Sequence, residues 1–162
     1  MIIFGIDPGT ARLGWGIIDT KTPNPHAVTF GCITTDTSHS APQRLLIIHK
    51  ELTDLLETHK PDCVSIEELF FAKNAKTIIP VGQARGVAIL AAAQKNIPVV
   101  SYSPLTIKRA ITGDGKADKK QVQYMITKLL HLSKVPTPDD TADALAIALT
   151  HAYSYKMKGL LS

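Results

Sequence analysis

Ile2-Ile3-Phe4-Gly5-Ile6-Asp7-Pro8-Gly9-Thr10 is the stretch on which the reading of this chain turns. Apolar residues and one glycine lead up to a single acid. A short unbroken apolar run suits a strand buried on both faces, in the middle of a sheet. Pro8 and Gly9 then stop the strand and turn the chain. An acid at the end of a central strand is rigidly held yet reachable by solvent, which is where open α/β sheets place ligands. Taken alone, Asp7 reads equally well as a turn residue capping Pro-Gly. The balance shifts because the rest of the chain supplies matching acids.

Working outward, residues 13–19 (LGWGIID) and 28–35 (VTFGCITT) predict two further strands, with Pro23, Asn24 and Pro25 in the loop between them. Three strands joined by short turns make an antiparallel meander. Gly14 and Gly16 weaken the second strand but let a neighbour approach closely beside Asp7. Residues 41–60 predict an amphipathic helix with Leu45, Ile48, Leu52, Leu55 and Leu56 on one face, Ser40 as its cap and Pro42 in its first turn. Residues 63–66 (CVSI) repeat the opening pattern, an apolar run that ends in acid, here Glu67-Glu68.

Phe70-Phe71 follow, with Lys73, Asn74 and Lys76 close behind. The pair reads as core or as an exposed aromatic wedge beside phosphate contacts. Residues 81–95 predict a helix that is apolar almost all round, so it needs covering on more than one side. Sheet on one side and a second subunit on the other meets that need, and so does simple burial. Residues 97–102 predict a fifth strand. A short helix then starts at Ser103-Pro104 and carries Lys108. The glycine- and lysine-rich stretch 113–120, with Lys116, Lys119 and Lys120, reads as a phosphate cradle or as a plain solvated loop, and residues 119–131 predict an amphipathic helix. In the last helix Thr137 is the expected N-cap and Pro138 the first helical residue. Asp140 and Asp143 lie three apart, on one face. The helix dipole accounts for Asp139 and Asp140, and poorly for Asp143.

If the first and fourth strands are neighbours and the last helix packs over their ends, Asp7, Glu67, Asp140 and Asp143 converge. Four converging negative charges repel unless a cation sits among them. Oxygen-only ligands select hard ions, Mg²⁺ or Mn²⁺. Two such ions are a known device for phosphodiester hydrolysis. The order of elements matches a ribonuclease H-like α/β fold: a five-stranded mixed sheet, three meander strands plus parallel strands, flanked by helices. A single nuclease domain is expected over residues 1–158, with 159–162 as a short tail.

Composition is compatible with this. The chain has 162 residues, 44% hydrophobic and 20% charged, with a formal net charge of +4. That balance mildly favours an anionic partner such as nucleic acid. Cys32 and Cys63 read as buried free thiols, with no close Cys or His neighbours for zinc. There is no leader-like start and no apolar run long enough to span a membrane, so a reducing cytoplasm is expected.

Five blocks together resemble the RuvC-type Holliday junction resolvases: GIDPGT (residues 5–10), IEELFFAKN (66–74), GQARGVAI (82–89), ADKKQVQ (117–123) and DDTADALAIA (139–148). The match runs nearly end to end. The resemblance implies a homodimer that makes paired symmetric nicks in a four-way DNA junction during recombination and repair, leaving 5′-phosphate and 3′-hydroxyl ends. It implies two Mg²⁺ per active site, with Mn²⁺ able to substitute, held by Asp7, Glu67, Asp140 and Asp143. Glu68 and Asp139 are then bystanders. Phe70 matches a base-stacking aromatic and Lys119 a basic residue close to the scissile phosphate. Lys108 falls near another basic position, and Lys73, Asn74, Lys76, Lys116 and Lys120 complete the expected DNA-binding set. Thr141 stands where an Ala or His is often seen. The GQARG helix suits the dimer contact, and the family also implies a RuvAB branch-migration partner. The competing readings are an actin-like or sugar-kinase phosphate loop, which needs two domains to clamp ATP, a ribosomal RNA maturation nuclease of the same fold, and a branched-DNA binding module that does not cut.

Overall fold

Strand β1 (Ile2–Asp7) pairs antiparallel with β2 (Arg12–Asp19), and β2 pairs antiparallel with β3 (His26–Thr34). Helix α1 (Ala41–His59) crosses over to β4 (Cys63–Glu67), which lies parallel to β1 on its other side. Helix α2 (Ala75–Gln94) leads to β5 (Val99–Tyr102), parallel to β4. Then come α3 (Pro104–Thr112), α4 (Lys119–Leu129) and α5 (Asp139–Leu161). The sheet order is β3-β2-β1-β4-β5, the five-stranded mixed sheet expected. The computed structural model describes residues 1–69 and 75–161, with side chains at 1–69 and 78–156.

The apolar run of β1 is buried on both faces, as a central strand requires. Phe4 and Ile6 pack with Leu13, Ile17, Ile48, Leu52, Val64, Ile66, Ala84 and Ala88 under α1 and α2. Ile3 packs with Ile18, Ile107, Val122, Ile126, Leu145 and Leu149 under α3, α4 and α5. Each buried Val, Leu, Ile or Phe among them contributes about 1.5–3 kcal/mol relative to exposure.

Helix α5 lies directly on the backbone of the sheet. A Cβ at Gly5 would stand 2.1 Å from the Ala144 carbonyl oxygen, and one at Gly14 would stand 2.0 Å from the Asp140 carbonyl oxygen. Ala142, Ala144, Ala146 and Ala148 complete this contact from the helix side and are buried. No longer side chains fit between the two elements, so the acids at the start of α5 come down beside the end of β1.

Two helix starts differ from expectation. Helix α2 begins at Ala75, with Pro80 inside it. The local rule places a proline in the first turn of a helix; here the helix runs five residues ahead of Pro80, which has no N–H to donate back into it. Helix α5 begins at Asp139, one residue later than expected, after a cis Thr137–Pro138 peptide. Thr137 is therefore not its N-cap, and the Thr141 N–H donates to the Pro138 carbonyl at 3.0 Å. At its other end α5 runs on to Leu161. Ser40 sits at the α1 N-cap position, as expected.

Candidate active site

Parallel pairing puts the ends of β1 and β4 side by side. The register runs to Ile6↔Ile66, so Asp7 and Glu67 follow on adjacent strands. Asp143, one turn into α5, joins them. All three line a cleft of ≈ 250 Å³, together with Lys108 from α3, Lys119 from α4 and the apolar side chains Ile107, Val122 and Ile147. Lys119 is fixed by the cap of its own helix. Asp118 Oδ1 accepts from the Gln121 N–H and Gln121 Oε1 accepts from the Asp118 N–H, both at 2.8 Å. This reciprocal cap anchors the first turn of α4 and so the base of the lysine.

The electrostatics follow from crowding acids where water is scarce. Burial pushes the Asp7 carboxyl well above the usual range, and Asp143, Glu67 and Asp140 push it further, in that order, against the pull of Lys119. Burial, then Asp143, raises Glu67 to about 7, with Lys119 and Lys108 opposing. Burial also raises Asp143. Burial disfavours charge on Lys119, but its bonds to Asp139 Oδ2 at 2.7 Å and Asp143 Oδ2 at 2.9 Å prevail and hold it more firmly protonated than usual.

Asp140 stands at the rim, against Gly14, and does not line the cleft wall. Its Oδ2 is buried and accepts no hydrogen bond, although Arg12 Nε lies 3.1 Å away as an ion-pair neighbour. Arg12 also stands 3.7 Å from Asp139 Oδ1. Asp139, expected to be a bystander, thus ties Arg12 and Lys119 to the start of α5. Thr141, between the two acids, is buried and points away, its hydroxyl 3.4 Å from the Gly31 carbonyl in β3.

Among the described residues, no three Asp, Glu, His or Cys side chains already stand arranged around one ion. The donor chemistry nevertheless fits a hard divalent cation. The groups are oxygen-only, desolvated and mutually repelling, and one buried carboxylate oxygen lacks a hydrogen bond. The Lys119 ammonium supplies the positive charge they lack in the protein alone.

The structure brings together Asp7, Glu67, Asp143, Lys108 and Lys119, with Asp140 adjoining them. Lys116 and Lys120 are exposed, outside the cleft wall. Lys76 falls in the first turn of α2, its side chain outside the described part. Phe70, Phe71, Lys73 and Asn74 lie outside the described residues. Helix α2 buries Ala84, Ala88, Ala91 and Ala92 but leaves Ile79 and Leu90 more than half exposed, so it is two-faced rather than covered all round. Arg12 and the pairing role of Asp139 were not anticipated from the sequence. The hint was there in Arg12, a cation placed just where the hairpin returns toward Asp7.

A family model described as Crossover junction endodeoxyribonuclease RuvC matches residues 3–151. The chain is 47% identical over 161 residues to the crossover junction endodeoxyribonuclease RuvC of Syntrophomonas wolfei, covering 99% of this chain and 94% of that one. Among solved structures, Thermus thermophilus RuvC superposes with a TM-score of 0.89 at 35% identity, covering 98% of this chain and 97% of that one. The same protein in complex with a Holliday junction substrate gives a TM-score of 0.92 at 35% identity, covering 98% and 96%.

Proposed function

This chain belongs to the RuvC family of crossover junction endodeoxyribonucleases and is a nuclease of four-way DNA junctions; from that premise we propose that it resolves them by paired, symmetric, Mg²⁺-dependent nicks. The observation that carries the reading is the desolvated trio Asp7, Glu67 and Asp143 in one cleft, with Lys119 as their compensating cation. Divalent ions bound there, two per site with Mn²⁺ able to substitute, supply activation of water and stabilisation of the leaving 3′ oxygen.

The chain's own groups do the rest. Asp7, Glu67 and Asp143, joined by Asp140, hold the cations. Lys119 leaves Asp143 for the scissile phosphate while Asp139 keeps hold of it. Lys108, on the same wall, meets the phosphate backbone. Lys73, Asn74, Lys76, Lys116 and Lys120 extend that contact, and Phe70 stacks on bases near the crossover. The exposed Ile79 and Leu90 face of α2 pairs two copies, so that two sites meet one junction. A RuvAB branch-migration complex is the partner that feeds it junctions. No helix of the described residues is long and apolar enough to cross a membrane.

The test offers synthetic four-way junctions beside linear duplex of the same sequence, with Mg²⁺ and with chelator. Paired nicks confined to the junction and abolished by chelator are expected. Equal cutting of the linear duplex defeats the proposal.

A further inference from the structure

Arg85 stands outside the cleft, on α2, which packs on the sheet face opposite α5. From there it reaches the strand ends that carry the site. Its Nε donates to the Glu67 carbonyl at 3.0 Å, and its Nη2 donates to Ser101 Oγ at 2.7 Å. The β1–β4 register has ended one residue earlier, at Ile6↔Ile66, while β5 meets this end as Ser101↔Ile66 and Glu67↔Tyr102. One side chain therefore ties a helix to two neighbouring strands, at the residue where β4 projects into the cleft.

The chemistry suits the task. A strand-end carbonyl needs a donor, and leaving a part-buried one without it frees the backbone there to move. A guanidinium is planar, always charged and carries its N–H groups in a fixed fork, so two bonds from it define an orientation. A lysine ammonium is a point charge on a flexible stem and does not reproduce that geometry.

We infer that Arg85 is a positioning residue for junction cutting: it locks the main chain of Glu67 from the far side of the sheet and so aims the Glu67 carboxylate into the cleft. It touches no reacting group and acts only through Glu67. The inference rests on the reading of Glu67 as a catalytic acid. A misplacement of about 1 Å at such a group costs on the order of 10²-fold in rate.

Single-turnover cutting of a synthetic junction in Mg²⁺ is compared for the unaltered protein, Arg85→Gln, Arg85→Lys, Ser101→Ala and Glu67→Gln. Junction binding in chelator, Mg²⁺ binding to the DNA-free protein by calorimetry, and thermal melting accompany it. Arg85→Gln is expected to cut about 10²-fold more slowly and to bind Mg²⁺ more weakly, with junction affinity and folding retained. Arg85→Lys recovers part of the rate only, and Ser101→Ala loses less. Cutting by Arg85→Gln at the unaltered rate overturns the inference. So does a loss that merely follows unfolding or lost junction binding, or full recovery in Arg85→Lys. Glu67→Gln reads the underlying assignment separately: if it still cuts, Glu67 is not catalytic, whatever Arg85 does.

Discussion

At the scale of single residues, the site stores repulsion. Asp7 is buried beside three other acids, and its carboxyl resists ionising there. Asp7→Asn removes that burden while keeping the shape. The metal-free variant is expected to melt at a higher temperature than the unaltered protein, to bind junctions at least as well, and to lose cutting by about 10²-fold or more, since metal stabilisation of the reaction is worth several kcal/mol. Melting curves and a gel-shift assay in chelator check it. Glu67 gives the pH dependence. Its carboxyl moves from an ordinary 4.5 to about 7, first through burial and then through Asp143. Between those values the folded state holds a proton that the unfolded chain has released. Stability of the metal-free protein therefore falls as pH rises from about 4.5 to about 7. Thermal melts in chelator across that window are expected to show the slope, and Glu67→Gln to flatten part of it. The acids were legible in the sequence because each sits where an element must end or begin: Asp7 before Pro-Gly, Glu67 after an apolar run, Asp140 and Asp143 at helical spacing. Arg12 and Asp139 were not. Their pairing depends on how α5 lies across the β1–β2 hairpin, and neighbouring acids such as Asp139 and Asp140 are told apart only by that placement.

At the scale of elements, the close seat of α5 on the sheet brings its acids to Asp7. Gly14→Ala drives a Cβ into the Asp140 carbonyl, 2.0 Å away, where only backbone can yield. Overpacking of this kind costs about 1–3 kcal/mol, and the yielding element carries Asp140 and Asp143. The variant is expected to lose more cutting than its lowered melting temperature accounts for, measured on the same preparation. Gly14 was legible as a site of close approach, since a strand glycine next to a candidate acid invites a neighbour. The neighbour's identity was not. Pro80 marks a helix boundary by local rule, and nothing in that rule shows that α2 continues back to Ala75.

At the scale of the whole molecule, an acidic cleft at one end of the sheet is joined by an apolar helix face on α2. Leu90 is 51% exposed on that face. Leu90→Glu is expected to sediment as a monomer that stays folded and makes single rather than paired nicks; an unchanged dimer places the subunit contact elsewhere. The mixed five-stranded sheet was legible almost entirely, because alternation of strand and helix patterns with right-sized connections leaves few topologies. The central claim is that acids distant along the chain form one cation site. Its most direct measurement is anomalous scattering from a crystal of the protein soaked in Mn²⁺. The account predicts Mn²⁺ bonded to carboxylate oxygens of Asp7, Glu67 and Asp143, with Lys119 released from Asp143 and still paired with Asp139. Mn²⁺ found only elsewhere, with the Lys119–Asp143 pair intact, contradicts it.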